Sequence, residues 1–213
     1  MRRLSFTDRL ISLLDQGLRV SLAGSEAITR THRPSPATSC PTLTADDARQ
    51  SQQLMRVNHA GEVAAQALYY GQALAASDPE VVSFLMNAAA EEGDHLHWCA
   101  TRLSELDTHP SRLTPLWFLG SAAIGVLAGL RSDAVSLGFI DETERQVEGH
   151  INHHLERLPT ADTASREILE QMKSDEATHA RHARERGGAA LHPRTRKIMG
   201  QVSKVMTITA ARL

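Results

Sequence analysis

Two stretches of the chain pair a carboxylate with an imidazole at the same spacing: Glu92-Gly93-Asp94-His95 and Glu176-Ala177-Thr178-His179. On an α-helix, residues three apart share a face, so each Glu-x-x-His unit aims one acid and one imidazole in a common direction. Two such units and two further glutamates form the donor set of a carboxylate-bridged pair of metal ions inside a helix bundle. The further glutamates are present. Glu62 precedes Glu92 by 30 residues, and Glu144 precedes Glu176 by 32. The chain thus reads as a duplication in which a helix with a lone glutamate is followed each time by a helix with Glu-x-x-His.

The neighbours of these acids decide whether they are solvated or buried. At about 100° per residue, Glu62 shares its stripe with Met55, Ala65, Tyr69 and Ala73, and Glu92 with Leu85, Ala88, Leu96, Cys99, Leu103 and Leu106. Glu144 aligns with Leu137, Ile140, Ile151, Leu155 and Leu158, and Glu176 with Leu169, Met172, Ala180 and Ala183. All four acids are therefore expected on core-facing stripes. Buried carboxylates so close together repel one another and need a positive partner. Arg and Lys lie mostly off these stripes. Hard carboxylates with two imidazoles suit iron or manganese better than a structural zinc site. His59, one turn before Glu62, is expected to support a ligand by a hydrogen bond. His150, His153 and His154 are expected at the surface or behind the ligands, as are Glu91 and Asp94. His97, His109 and His182 are expected in solvent.

Helices must position these groups, and the composition agrees. Aromatics make up 4% of the 213 residues, apolar residues 41% and charged residues 23%, a balance that favours a soluble helical protein over a β-sandwich. A net charge of −2 provides no basic field for nucleic acid. The eleven histidines are the compositional anomaly. Cys40 and Cys99 match no zinc or redox spacing and are read as free thiols of a reducing compartment. The N-terminus, with Arg2 and Arg3, lacks the apolar region of a secretory signal.

An amphipathic helix is expected over residues 4 to 22, then a Pro-rich linker through Cys40-Pro41, which places a peripheral segment at 1–43 and the main domain at 44–213. Long helices are expected from Thr44 to Ala76 and from Pro79 to Leu106. Further helices should end before Pro159 and at Gly187-Gly188, and a last one should follow Pro193. Leu113 to Leu130 carries no charge. Its length suits a helix that is either buried in the bundle or laid in a membrane interface.

At these motifs the sequence resembles the demethoxyubiquinone hydroxylases, the di-iron monooxygenases of ubiquinone biosynthesis. Met55-Arg56-Val57-Asn58-His59-Ala60-Gly61-Glu62, Glu92-Gly93-Asp94-His95, Thr143-Glu144 through Gly149-His150, and Asp175-Glu176-Ala177-Thr178-His179 are similar to that family's four ligand motifs. The resemblance runs from about residue 50 to the C-terminal helix, and the N-terminal helix and linker look like the bacterial form.

It implies an all-α, ferritin-like four-helix bundle with additional helices, one of them apolar and suited to a membrane interface. It implies two iron ions, with Glu62 and His95 on one, Glu144 and His179 on the other, and Glu92 and Glu176 bridging. No catalytic residue is expected beyond these metal ligands. The implied reaction is hydroxylation of a polyprenyl demethoxyquinone ring with O2. Its electrons would come from a reduced nicotinamide, directly or through the quinone, on the cytoplasmic face of the cell membrane as a peripheral protein. Other ubiquinone-biosynthesis proteins and a further copy of the chain are compatible partners. The same six ligands would also serve a ferritin-like iron store or peroxide-handling protein. A non-catalytic quinone-binding scaffold would have no need of them.

Overall fold

The computed structural model describes residues 5–22, 33–34 and 42–213. Among these residues seven helices follow in order: α1 (Phe6–Leu22), α2 (Ala45–Ala75), α3 (Pro79–Glu105), α4 (Thr114–Arg131), α5 (Asp133–Arg157), α6 (Thr163–Glu185) and α7 (Pro193–Ala210). There is no strand among the described residues. The expected linker falls largely outside them, as does Cys40, while Cys99 is a buried free thiol.

Local chemistry explains the boundaries. Thr44 caps α2 by accepting from the Asp47 backbone N–H, and Asp78 caps α3 ahead of Pro79. Asp162 caps α6 through the Ser165 N–H. At the end of α6 the chain turns at Gly187, whose φ of 89° is natural only for glycine.

Helices α2, α3, α5 and α6 form the bundle. Hydrogen bonds between side chains fix their directions. Asn58 meets His154 while Gln72 meets the Ser136 carbonyl, so α2 and α5 are antiparallel. Arg102 meets Ser165, His95 meets Asp175 and Glu91 meets His179, so α3 and α6 are antiparallel as well. Every residue expected on the four acidic stripes is buried except Leu155, which is partly so.

The bundle is not four equal helices. From Val57 to Ala73, α2 is buried at every position but Gly61 and Ala64. Outside the bundle it is covered by α1, α4 and α7. Helix α4 is the crossover between the two helix pairs and runs parallel to α2. Trp117 packs beside Val57 and Ala60 near its start, and Gly129 sits against Gln72 and Ala75 near its end. Helix α1 runs the opposite way. Arg9 donates to the carbonyls of Ala73 and Ala76 at the C-terminal end of α2, and Gln16 donates to the buried Gln66 at 2.6 Å. The apolar segment therefore has two characters at once. One side of α4, with Phe118, Ala122, Gly125 and Gly129, is buried, and the other exposes Leu116, Leu119, Leu127 and Leu130.

Backbone contact between α2 and α4 depends on two glycines. A Cβ on Gly71 would lie 2.2 Å from the Ala122 carbonyl oxygen, and one on Gly125 would lie 2.2 Å from that of Leu68. Backbone cannot rotate away as a side-chain tip can. Gly71→Ala should therefore destabilise the fold by about 2 kcal/mol or more, overpacking outweighing the helix propensity gained. Gly149→Ala, on an exposed face with nothing within 4 Å, should stabilise it by about 0.5–1 kcal/mol. Denaturant melts of the two variants should move in opposite directions.

Candidate metal centre

The middle of each bundle helix delivers one part of a single cluster: Glu62 from α2, Glu92 and His95 from α3, Glu144 from α5, and Glu176 and His179 from α6. All six are at most 3% exposed. Their ligand atoms fall into two groups, Glu62, Glu92, His95 and Glu176, and Glu92, Glu144, Glu176 and His179. Within each group the atoms lie within 4.8 Å of one another. Glu92 and Glu176 belong to both. Each group could hold a cation, with the shared carboxylates between the two.

The imidazoles are aimed for this. Nδ1 of His95 faces Glu92 at 3.2 Å, Glu176 at 3.2 Å and Glu62 at 3.4 Å, while Nδ1 of His179 faces Glu92 at 3.1 Å and Glu176 at 3.5 Å. Their outer nitrogens are held by acids from the opposite helix. Nε2 of His95 lies 3.0 Å from Asp175, and Nε2 of His179 lies 2.7 Å from Glu91. An N–H donated outward to a carboxylate leaves the Nδ1 lone pair facing the cluster, the tautomer a metal ligand needs. The acid that precedes each Glu-x-x-His unit therefore orients the histidine of the other unit. The sequence contains the signal for this in the matched pairs Glu91-Glu92 and Asp175-Glu176, but only the fold reveals that the contacts cross.

Electrostatics point to a missing positive charge. Oxygens of Glu62, Glu92, Glu144 and Glu176, together with Nδ1 of His179, are buried without a well-aligned hydrogen-bond partner. Burial drives the Glu62 and Glu144 carboxyls well above the usual range, and repulsion from neighbouring glutamates adds to it. Burial opposes charge on His95 and His179, yet the surrounding carboxylates outweigh it and raise both. Protons and metal cations are thus the two ways to compensate these acids. Four carboxylates carry the charge that two divalent ions would neutralise. The donor set, all oxygen apart from two imidazole nitrogens, fits hard or borderline ions such as iron and manganese.

The remaining histidines separate. His154 is buried, and its Nδ1 lies 3.0 Å from Asn58 Oδ1. His150 contacts Ser203 at 3.0 Å, and His153 is exposed. His59 is buried with Nδ1 unpartnered, so the hydrogen bond expected from it to a ligand is not what that nitrogen makes. His97 and His182 are partly buried rather than solvated, and Asp94 is fully buried.

The family described as ubiquinone biosynthesis protein COQ7 matches residues 49–210. A 3-demethoxyubiquinol 3-hydroxylase of Burkholderia thailandensis is 51% identical over 95% of this chain and 97% of its own. One from Ralstonia pickettii is 49% identical over 97% of this chain and 99% of its own. Among solved structures, a dodecameric thioferritin, the bacterioferritin-related protein of Bacteroides fragilis, matches with a TM-score of 0.55 at 16% identity, over 65% of this chain and 84% of its own. That likeness establishes a ferritin-like fold and nothing about assembly.

His59 and His154 carry a pH signature. Burial lowers both to about 4 from 6.5, so both are neutral in the folded protein at pH 7. The unfolded chain takes up their protons first, and stability falls as pH drops from about 6.5 to about 4. In His154→Gln this dependence should be shallower by up to about 1.4 kcal/mol per pH unit, read from melts across that range. An unchanged slope would show that His154 is not held neutral by the fold.

Proposed function

The chain belongs to the ubiquinone biosynthesis protein COQ7 family, and on that premise we propose that it is a di-iron 3-demethoxyubiquinol 3-hydroxylase. The observation that carries the metal reading is the pair of buried ligand groups sharing Glu92 and Glu176. Glu62 and His95 would hold one iron and Glu144 and His179 the other, with Glu92 and Glu176 shared between the two groups. A reduced iron pair, when bound, supplies the open coordination positions and electrons that activate O2. One oxygen atom enters the ring in place of hydrogen and the other leaves as water. Of the four electrons that O2 takes up, two come from the ring C–H bond and two, together with two protons, from a reduced nicotinamide and solvent, directly or through the quinone.

The contributions of the chain are orientation and exclusion of water. Asp175 and Glu91 hold the two imidazoles in the ligating tautomer. Leu96, Cys99, Ile151 and Met172, all buried, keep the middle of the bundle dry. In such a setting the carboxylates stay ionised only with a cation beside them, so metal uptake releases protons and weakens as pH falls. Residues 44–213 form the catalytic domain, and α1 from the preceding segment packs on its helix α2. The substrate ring carries a polyprenyl tail and is bilayer-borne. The exposed leucines of α4, a helix long and apolar enough by composition to cross a membrane but only 33% buried, support docking as a peripheral membrane protein, and on this reading the docked face is the cytoplasmic one. The same surface favours a catalyst of a lipid substrate over an iron store, which has no use for it.

Metal analysis of anaerobically loaded protein should give about two irons per chain, about one in Glu144→Ala and fewer than one in Glu92→Ala, because Glu92 serves both ions. Trace iron in the wild type would refute the reading. In cells lacking the protein the demethoxy intermediate should accumulate, and Asp175→Asn should restore less hydroxylation than wild type at equal protein level. A quinone profile unchanged by loss of the protein would exclude this activity.

A further inference from the structure

Helix α7 carries a surface that the hydroxylase reading leaves unused. Ile198 is 59% exposed, Val202 49%, Val205 57% and Ile208 46%. Its inner side is accounted for. Arg196 pairs with Glu142 at 2.8 Å, Gly200 lies by Gln146, and Ser203 meets His150, all on α5. At about 100° per residue, Ile198, Val202 and Val205 lie on the opposite side of the helix from these three. The stripe therefore faces away from the bundle by construction.

The charge of the segment is one-sided. No acid occurs between Glu185 and the C-terminal Leu213, whereas Arg194, Lys197 and Lys204 are exposed. None of these three has an acidic partner among the described residues. An apolar stripe bordered by unpaired cations is the pattern of a helix that lies in the interface of an acidic bilayer. It is poorly suited to pairing with a second copy of itself, which would bring the cations together with no acid to separate them.

Position adds to the case. Helices α4 and α7 both lie against α2 outside the bundle, and they meet at one end. There Trp117 packs with Ala210 and Ala211, and the Arg112 N–H donates to the Leu213 carbonyl. Helix α4 presents leucines with no charge between Leu113 and Leu130 and a single exposed cation, Arg131, at its last residue, so it inserts with little to distinguish headgroups. Most of the cationic charge belongs to α7.

We propose that α7 is the lipid-selecting element of the docking face: its apolar stripe enters the bilayer interface, and Arg194, Lys197 and Lys204 bind acidic headgroups beside it. This rests on the reading of a membrane-borne substrate and adds the lipid class and the residues that recognise it. Each cation near an acidic surface is worth about fivefold in partitioning, and the attraction is screened within about 8 Å at physiological salt.

The test is sedimentation of the full chain with vesicles of phosphatidylcholine alone or mixed with phosphatidylglycerol. Wild type should bind the mixed vesicles far better than the neutral ones, and added salt should remove the difference. Arg194→Gln/Lys197→Gln/Lys204→Gln, folded by circular dichroism, should lose about 100-fold of the binding to mixed vesicles and keep its binding to neutral ones. Leu119→Ser/Leu127→Ser should lose binding to both. A triple variant that keeps the lipid preference, or a wild type that binds both vesicles equally, overturns the role of α7 while leaving docking through α4 intact. A wild type that binds neither vesicle, or that elutes as a dimer through this face, overturns both. Hydroxylation of a detergent-dispersed demethoxyquinol is measured separately, so failure of the hydroxylase reading is distinguishable from failure of this one.

Discussion

Mutual repulsion among four buried carboxylates is the constraint on which this architecture turns. At an effective dielectric of about 20, two such charges about 4 Å apart repel by about 4 kcal/mol, and each also loses its hydration. The protein brings Glu62, Glu92, Glu144 and Glu176 together in spite of this, at the centre of a bundle where three of them contact His95 or His179. Protons on the flanking histidines and raised glutamate carboxyls are the response available to the polypeptide by itself. Metal is the other response, and it alone permits all four acids to be ionised with both imidazoles neutral.

Holding such a cluster requires helices that cannot shift, and α2 is where rigidity is concentrated. Because it is enclosed by α1, α4 and α7 as well as by its bundle neighbours, Glu62 is anchored on a helix with almost no solvent face. The glycine contacts with α4 bring backbones within a distance that no other residue allows. Cores are bistable or fixed, not continuously deformable. Exposed apolar residues can then be confined to the outer faces of α4 and α7 without loosening the site.

Much of this was legible in the chain. The apolar stripes placed each acid correctly, since helical spacing is a local property, and the duplicated spacing paired the helices. Capping residues and prolines located the ends to within about two residues. Relations between helices were not legible. Asp175 and Glu91 look like surface acids beside a ligand, because their roles depend on which histidine the opposite helix presents. The full burial of α2 was hidden for a similar reason: Ala, Gly and Gln on its outer side are small or neutral enough for either setting, and only Gln16–Gln66 and the glycine contacts decide. The sequence leaves His154 between the surface and a place behind the ligands, and its buried partner Asn58 decides for the interior.

The crossed contacts of Asp175 with His95 and of Glu91 with His179 also bear on what counts as the smallest complete unit. Neither hairpin contains the acid that orients its own histidine, and neither contains both shared carboxylates. A single α2–α3 or α5–α6 hairpin is therefore an incomplete half-site in two separate respects. Two identical hairpins related by a twofold axis would complement each other in both. The centre thus has the logic of a symmetric dimer whose halves have been joined in one chain, with α4 as the tether that keeps them at fixed stoichiometry.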